Sequence, residues 1–440
     1  MREVHIIGGG LAGCEAAWQV ARAGGRAVLY EMRPLRQTPA HKTGDFAELV
    51  CSNSLKSEQQ NSAPWLLKEE LRRLGSLLIG EIAPRARVPA GHALTVDREI
   101  FAAEITRTIA AEPAIEIRRE EVTTLHDDHI WIIASGPLTS DALAQEIARV
   151  TGSGRLFFYD SISPIIDAES IDTSIAFRAS RYDKSLDGTA DYLNCPFNKE
   201  QYEAFLDALL AASSVPAHIE EDNTRYFEAC LPIEEIARRG RDTLRFGPMK
   251  PMGLIDPRSG RRPWAVVQLR QEDARAGSYN LVGFQNHMRF GDQQRVLRMI
   301  PGLEHAEFLR FGQVHRNTYI NGPALLAPTL QMRTRPEVFF AGQISGVEGY
   351  VESIATGLIA GRAAAALAAG ETPRAFPRET AMGSLTAYVS GADPLHYQPA
   401  NITFDLLPKL ENPPRDKKVR YAEVCRRALA ALEEYLCAHV

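Results

Sequence analysis

The chain opens with an apolar segment, a glycine-rich turn and a second apolar segment, a pattern that predicts strand, helix and strand. Residues 4–7 are mostly apolar, residues 11–23 have the composition of a helix, and residues 27–30 form a second apolar run that ends at Glu31. The turn has the spacing Gly-x-Gly-x-x-Gly, and in this context it is the fingerprint of a dinucleotide site. Glycines let the backbone approach a pyrophosphate at the start of the helix, and the acid accepts hydrogen bonds from a ribose. The predicted contacts are Gly8, Gly9, Gly10, Leu11, Ala12, Gly13 and Glu31.

A second segment of this kind lies late in the chain. Residues 338–341 are apolar, a glycine-rich loop follows, and a helix of small residues is predicted from Ile354 to Ala369. A late strand, glycine loop and helix is typical of flavoproteins, so the dinucleotide is predicted to be FAD rather than NAD. The predicted contacts are Gly342, Gln343, Gly346 and Tyr350, and the strand that ends near Gly136 is expected to pass close to the nucleotide.

Periodicity between these segments predicts further elements. A core helix is expected from Trp65 to Leu78, and a second helix through Ala110 is expected to be capped by Asp97 or Thr95. Three short strands of an additional sheet are predicted at 115–117, 122–125 and 130–134, and a last helix at about 419–437.

From about Asp167 to Thr318 the pattern changes to many aromatic residues, prolines and arginines with little alternation of strands and helices. The length of 440 residues also exceeds that of a usual single domain. We therefore predict an α/β fold: a Rossmann-type FAD-binding domain in two parts, 1–166 and 319–440, with an inserted α+β domain at 167–318. The inserted domain is the expected place for substrate.

Composition is that of an ordinary globular protein, with 45% apolar and 24% charged residues and a net charge of −5. No long uncharged apolar run is present and the first strand begins near Glu3, so neither a membrane span nor a signal peptide is expected, and the cytoplasm is the predicted location. The six cysteines contain no Cys-x-x-Cys pair. A disulfide scaffold and a thiolate metal site are therefore not expected.

Two of the cysteines lie in surroundings that suggest reactivity. Cys51 begins a loop of small polar residues with Lys56 nearby, and Cys230 precedes a predicted helix start at Pro232. A neighbouring cation or helix start favours a thiolate. The other cysteines are expected to be small apolar residues. Disulfide oxidoreductases are disfavoured, because Cys51 has no partner cysteine near it in sequence.

A basic stretch runs from Arg238 to Arg262, with eight basic residues against two acidic ones. It is either a solvated surface loop or a binding surface for phosphates. The candidate RNA contacts are Arg238, Arg239, Arg241, Arg245 and Lys250.

Taken together, the segments 6–17, 49–57, 226–234, 247–251, 282–285 and 340–350 resemble the folate- and FAD-dependent tRNA (uracil-5-)-methyltransferases, the TrmFO family. The resemblance extends to the segment Tyr397-Gln398-Pro399-Ala400-Asn401. The related GidA/MnmG proteins have a similar core but a large C-terminal helical domain that is not found in this sequence.

This resemblance implies methylation of uracil 54 in the tRNA T loop, with 5,10-methylenetetrahydrofolate as carbon donor and FAD and NAD(P)H as reductants. Cys230 would be the nucleophile, and Cys51 the proton acceptor or a partner on the flavin side. His287 and Arg289 are candidates for the folate side. No metal, membrane or stable protein partner is implied. The alternatives are wobble-uridine modification as in GidA/MnmG, a small-molecule flavin oxidoreductase, and an RNA-binding flavoprotein without catalysis.

Overall fold

Two sheets with separate hydrophobic cores organise the chain. The structure is a computed structural model that describes residues 1–152, 156–161, 163–185, 189–214, 231–312 and 314–438. The strands are β1 (Val4–Ile7), β2 (Ala27–Tyr30), β3 (Ser54–Ser57), β4 (Arg87–Val88), β5 (Ala93–Val96), β6 (Ile115–Arg118), β7 (Ile130–Ile133), β8 (Leu156–Ser161), β9 (Ile165–Asp167), β10 (Phe177–Ala179), β11 (Tyr192–Phe197), β12 (Ala265–Gln271), β13 (Ser278–Leu281), β14 (Phe308–Arg310), β15 (Val314–Tyr319) and β16 (Val338–Phe340). The α-helices are α1 (Leu11–Arg22), α2 (Ala63–Arg73), α3 (Ala83–Arg85), α4 (Arg98–Ala111), α5 (Asp141–Thr151), α6 (Lys199–Leu210), α7 (Ile233–Arg238), α8 (Thr243–Phe246), α9 (Phe290–Leu297), α10 (Gly322–Leu325), α11 (Tyr350–Ala368), α12 (Ala381–Gly391) and α13 (Lys417–Cys437).

The first sheet is parallel, with the strand order β16-β7-β1-β2-β6. Its central strands are buried along their whole length, which accounts for their continuous apolar sequence. Helices α1 and α11 pack closely: a Cβ atom at Gly357 would lie 2.3 Å from the Ala12 carbonyl oxygen, and one at Gly361 2.6 Å from that of Ala16. The small residues of α11 therefore allow it to pack directly against α1.

Helix α11 is also long and apolar enough to cross a membrane, but 83% of its most apolar window is buried inside the protein. Its contacts are those of a core helix.

The second sheet has six strands in the order β10-β11-β12-β13-β9-β14, with antiparallel neighbours. Its core draws residues only from 166–306, whereas the first core combines residues 4–147 with residues 320–432. An antiparallel sheet with helices thus interrupts a Rossmann-type domain, and the predicted fold class is confirmed. The three domain bounds given above stay a prediction.

Several predicted elements differ from those observed. The segment 122–125 is not a strand, and β6 and β7 belong to the parallel sheet rather than to an additional one. Helix α2 ends at Arg73 and a π-helical turn follows at Leu77–Ile82, because Gly75 adopts a left-handed φ of +72° between them. Helix α11 begins at Tyr350, four residues earlier than predicted. Asp97 caps α4 as predicted, accepting bonds from the amides of Glu99 and Ile100.

Candidate active site

The first glycine turn contains two kinds of glycine. At some positions the packing of the chain leaves no room for a side chain, and at one position the glycine faces open space. A Cβ atom at Gly13 would lie 1.8 Å from the Gly8 carbonyl oxygen, and one at Gly8 2.5 Å from that of Ala134. A Cβ at Gly10 would meet no protein atom within 4 Å. Gly10 is the N-cap residue of α1, so the open space lies where the helix amides favour a phosphate group.

This turn forms one wall of a cleft whose space, counted together with the part open to solvent, is about 1030 Å³. Residues of both glycine segments line it: Gly8, Gly10, Leu11, Ala12, Glu31, Gly342, Gln343 and Tyr350. The predicted stretch near Gly136 lines it as well, while Thr38, His41 and Glu48 were missed by the sequence reasoning. They lie in an irregular polar segment that has no recognisable period.

Three of the predicted cofactor residues do not line the cleft, namely Gly9, Gly13 and Gly346. Gly346 has a φ of +96°, and a Cβ there would lie 2.0 Å from the hydroxyl oxygen of Tyr397. That hydroxyl donates to the carbonyls of Ser345 and Gly346, both at 3.1 Å. The structure thus gives these glycines a role in chain packing.

Glu31 is buried at the end of β2 and its carboxylate joins the glycine turn to Arg33. It accepts bonds from the Gly9 amide at 2.9 Å and from the Arg33 amide and Nε at 2.9 and 3.0 Å. Burial alone would raise the pKa of Glu31, but the bonds and the charge of Arg33 outweigh it, and the pKa lies below the usual value. Glu31 is therefore an ionised acceptor at the floor of the cleft.

Tyr350 connects the cleft to Cys51. The backbone amides of Cys51 and Ser52 donate to the Tyr350 hydroxyl oxygen at 2.9 and 3.2 Å, and the Cys51 Sγ lies 3.0 Å from it. Burial and the nearby Cys51 hold the pKa of Tyr350 well above its ordinary value, so it stays protonated. In the contact between Tyr350 and Cys51, either the hydroxyl or the thiol can donate.

The expected partner of Cys51, Lys56, points elsewhere, and that part of the prediction is wrong. Lys56 Nζ donates to Glu352 Oε1 at 2.7 Å and to Asn401 Oδ1 at 2.6 Å. Lys56 itself has a left-handed φ of +63°.

Three arginines from distant segments supply positive charge near Cys51 instead. Arg98 Nη1 donates to the Leu49 carbonyl at 2.7 Å, and Arg270 Nη2 donates to Ser52 Oγ at 2.8 Å. Burial lowers the pKa of Arg270 and of Arg310, whereas for Arg98 the charge of Glu272 outweighs burial and raises the pKa; Cys51 is among the groups that interact electrostatically with all three. Arg98 also pairs with Glu272. Cations around a thiol favour its thiolate form.

Comparison with known proteins decides the family. The family described as glucose inhibited division protein A, GIDA, matches residues 3–372. A protein of Solibacter usitatus named methylenetetrahydrofolate–tRNA-(uracil-5-)-methyltransferase TrmFO is 73% identical over 99% of this chain and 98% of its own length. The chain belongs to the TrmFO family. Another TrmFO protein, from Koribacter versatilis, is 65% identical over the same shares.

Among solved structures, GidA of Aquifex aeolicus is similar in fold to this TrmFO family member. Its form I crystal structure has a TM-score of 0.69 and 17% sequence identity, and the match covers 98% of this chain and 75% of that one. Proteins of the TrmFO family use FAD, and the cleft fits it: Gly10 with the open space beside it, the ionised Glu31 and residues of the second glycine segment all line it.

The second candidate cysteine, Cys230, lies outside the described residues. The predicted helix after it is present as α7, with Pro232 at its N-cap. The Ile233 amide donates to the Gln285 carbonyl at 2.8 Å, so two segments that carried the resemblance are neighbours.

A buried acid and a histidine lie at this junction. Burial raises the pKa of Glu234, whose carboxylate lies 3.2 Å from His287 Nδ1 and accepts from the His287 amide at 2.8 Å. His287 is thus engaged with Glu234, whereas Arg289 is exposed.

The basic stretch is less positive than the number of its arginines suggests, because acidic side chains within it, just before it and on α6 pair with those arginines. Arg238 pairs with Glu235, and Arg241 pairs with Asp207 at 2.8 Å and with Glu203. Arg245 pairs with Asp242 at 2.6 Å and lies 3.6 Å from the Trp264 ring centre. Lys250 is exposed.

The remaining cysteines behave mostly as expected. Cys14, Cys195 and Cys425 are buried free thiols, and burial raises the pKa of Cys425 to about 12. Cys437 is exposed near the end of α13, so its predicted apolar role is wrong. Among the described residues, no three His, Cys, Asp or Glu side chains are grouped as a metal site would require.

Proposed function

We propose that this protein methylates carbon 5 of uracil 54 in the tRNA T loop, with 5,10-methylenetetrahydrofolate as carbon donor and NAD(P)H as reductant. The observation that carries the proposal is the position of Cys51, 3.0 Å from the Tyr350 hydroxyl at the FAD-type cleft, in a chain 73% identical to a protein named for this reaction. FAD would be held by the glycine turns and Glu31, and when bound it supplies the reducing electrons.

The two cysteines divide the work on the uracil. Addition of the Cys230 thiolate to carbon 6 makes carbon 5 nucleophilic, and carbon 5 then takes the one-carbon group. The proton of carbon 5 and the tetrahydrofolate amine must leave next, so that the C–N bond breaks and an exocyclic methylene forms; a Cys51 thiolate beside the arginines is our candidate base for the proton. Hydride reduction of the resulting methylene and departure of Cys230 complete the methyl group. The alternative for Cys51, a role on the flavin side, stays open.

The deciding experiment is nucleoside analysis after a complete reaction. Protein loaded with FAD would be incubated with unmodified tRNA transcript, labelled methylenetetrahydrofolate and NADH. We expect label in 5-methyluridine, and none with a transcript that has cytidine at position 54. Label at the wobble uridine would instead support GidA-like modification, and NADH turnover that is indifferent to tRNA and folate would support a small-molecule oxidoreductase.

The role of Cys230 has its own test, a tRNA in which 5-fluorouracil replaces uracil. Fluorine at carbon 5 cannot leave as a proton does, so a thiolate adduct at carbon 6 accumulates. We expect a covalent complex with wild-type protein and with Cys51→Ala, but none with Cys230→Ala. A complex that forms with Cys230→Ala would assign the nucleophile to another residue.

We also propose the cytoplasm as the site of action, since tRNA and reduced nicotinamide cofactors are found there. The basic stretch at Arg238, Arg239, Arg241, Arg245 and Lys250 remains a candidate for tRNA phosphates. Its carboxylate partners would have to exchange for phosphates on binding, which makes it a weaker candidate than the sequence alone indicates.

A further inference from the structure

A cluster of aromatic rings lies at the open edge of the second sheet. Phe308 in β14 stacks on Phe311, with ring centres 5.0 Å apart and an angle of 22°, and Phe290 at the start of α9 lies 5.5 Å from Phe311. Phe290 is 58% exposed and Leu309 is 54% exposed. We call this surface the Phe290 patch: Phe290, Phe308, Leu309 and Phe311, flanked by Arg289 and Arg310.

The patch is held in shape by a buried glutamine. The Gln293 side chain donates to the carbonyls of Gly312 and Met288 at 2.9 and 2.8 Å and accepts from the Gly312 amide at 2.8 Å. Helix α9 and the turn after β14 are therefore fixed to each other. Because an exposed apolar sheet edge is a liability for a protein in water, its persistence on a rigid frame indicates a partner that covers it.

One arginine of the patch acts electrostatically on a residue of the active-site cleft. Burial and the charge of Arg98 lower the pKa of Arg310, and Arg310 in turn adds to burial and Arg33 in lowering the pKa of His41, which lines the cleft. Arg289 is exposed, and neither arginine pairs with an acid among the residues described. This distinguishes the patch from the basic stretch, where Arg238, Arg241 and Arg245 are already paired.

We propose that the Phe290 patch receives unstacked bases of the tRNA T loop, with Arg289 and Arg310 on the adjoining phosphates. The inference rests on the proposed function and adds where the loop docks. Proteins recognise RNA loops by stacking splayed bases on aromatic rings and arginine planes, because every base offers a flat face. A loop docked here would lie beside Arg310, whose charge acts on His41 in the lining of the cleft.

The test measures binding of a tRNA transcript with 2-aminopurine in the T loop. Phe290→Ala and Phe311→Ala are expected to weaken binding roughly tenfold and to abolish the fluorescence change that reports stacking. Phe290→Leu keeps apolar bulk without the ring, and is expected to behave like Phe290→Ala. Leu395→Ala, at a side chain 85% exposed in another part of the surface, is the matched control and should bind as wild type does.

Phe246→Ala tests the competing face, because Phe246 is 80% exposed within the basic stretch. The proposal is overturned if the Phe290 and Phe311 variants retain FAD and keep wild-type affinity and fluorescence change, or if only Phe246→Ala loses them. Failure of the proposed function looks different: wild-type protein would then bind the transcript without forming 5-methyluridine.

Discussion

Gly10 and Gly13 lie three residues apart in one turn, yet the structure requires glycine at the two positions for different reasons. At Gly13 a side chain would collide with the protein's own backbone, whereas at Gly10 it would enter the space beside the helix amides. The first constraint concerns folding and the second concerns a ligand. The sequence motif alone does not separate them.

This difference predicts opposite outcomes for two single substitutions. Gly10→Ala should leave the apoprotein folded, at a cost of about 1 kcal/mol for changing an N-cap residue, but should strongly reduce bound FAD. Gly13→Ala should destabilise the protein itself, because its Cβ would lie 1.8 Å from the Gly8 oxygen. Flavin absorbance per protein and the melting temperature of the apoprotein measure the two effects. If Gly10→Ala bound a full complement of FAD, the pyrophosphate would not bind beside Gly10.

The arginines near Cys51 make a second prediction at the scale of residues. Removing a cation beside a thiol lowers the fraction of the thiol that is ionised. Arg270→Gln should therefore slow iodoacetamide alkylation of Cys51 at pH 7 by roughly threefold to tenfold. Arg270→Lys keeps the charge while losing the guanidinium geometry, and is expected to retain most of the rate. Mass spectrometry of the Cys51 peptide gives the rate. Equal rates in Arg270→Gln and wild type would mean that Arg270 does not act on the thiol electrostatically.

At the scale of elements, local sequence patterns predicted the structure correctly where a short motif determines the geometry. The glycine fingerprint, the α4 cap and the start of α7 belong to this group, because each depends on a few adjacent residues. The arginine cluster could not be predicted, since Arg98, Arg270 and Arg310 are brought together only by tertiary packing. The prediction for Lys56 failed for the complementary reason. Lys56 is close to Cys51 in sequence, but it has a left-handed φ and its side chain binds Glu352 and Asn401 instead.

Helices α2 and α12 are joined by a buried carboxylate whose protonation we expect to affect stability. Glu70 accepts from the amides of Ala381 and Met382 at 2.7 and 2.9 Å, at the start of α12. Burial outweighs these bonds and raises the pKa of Glu70 to about 8, from a model-peptide value of roughly 4.3. Between the two values the folded state holds a proton that the unfolded state has lost. The free energy of unfolding should therefore fall as the pH rises from about 4.3 to about 8.

Glu70→Gln removes this titration, so its free energy of unfolding should fall less over that range than that of wild type. Glu69→Gln is the matched control, because Glu69 is the preceding residue and forms only partly exposed pairs with Arg72 and Arg73. Urea denaturation at pH 5, 6, 7 and 8 measures the slopes. Parallel slopes for Glu70→Gln and wild type would show that the carboxylate is ionised throughout.

At the scale of the whole molecule, the two cores are joined by polar contacts that surround the Cys51 loop. Arg270 reaches Ser52, the Ala274 amide donates to Asp97 at 2.8 Å, and the Asn53 side chain donates to backbone carbonyls at the end of β12. The position of the thiol thus depends on how the inserted sheet docks on the FAD-binding domain. A reaction that needs uracil, folate and flavin together requires such a fixed junction.

Asn53 tests this dependence, because it is fully buried and donates to Gln271 and Glu272 carbonyls at 3.0 and 3.2 Å. Asn53→Ala leaves both carbonyls without that donor, and the free energy of unfolding should fall by about 1–3 kcal/mol. Asn53→Asp should be worse, since its carboxylate would face two carbonyl oxygens. Denaturation and hydrogen exchange in β12 would measure the loss, while FAD content should change little because Asn53 does not line the cleft. We expect methylation activity to fall in the same order. If the Asn53→Asp protein were as stable and as active as wild type, the position of the Cys51 loop would not depend on how the inserted sheet docks.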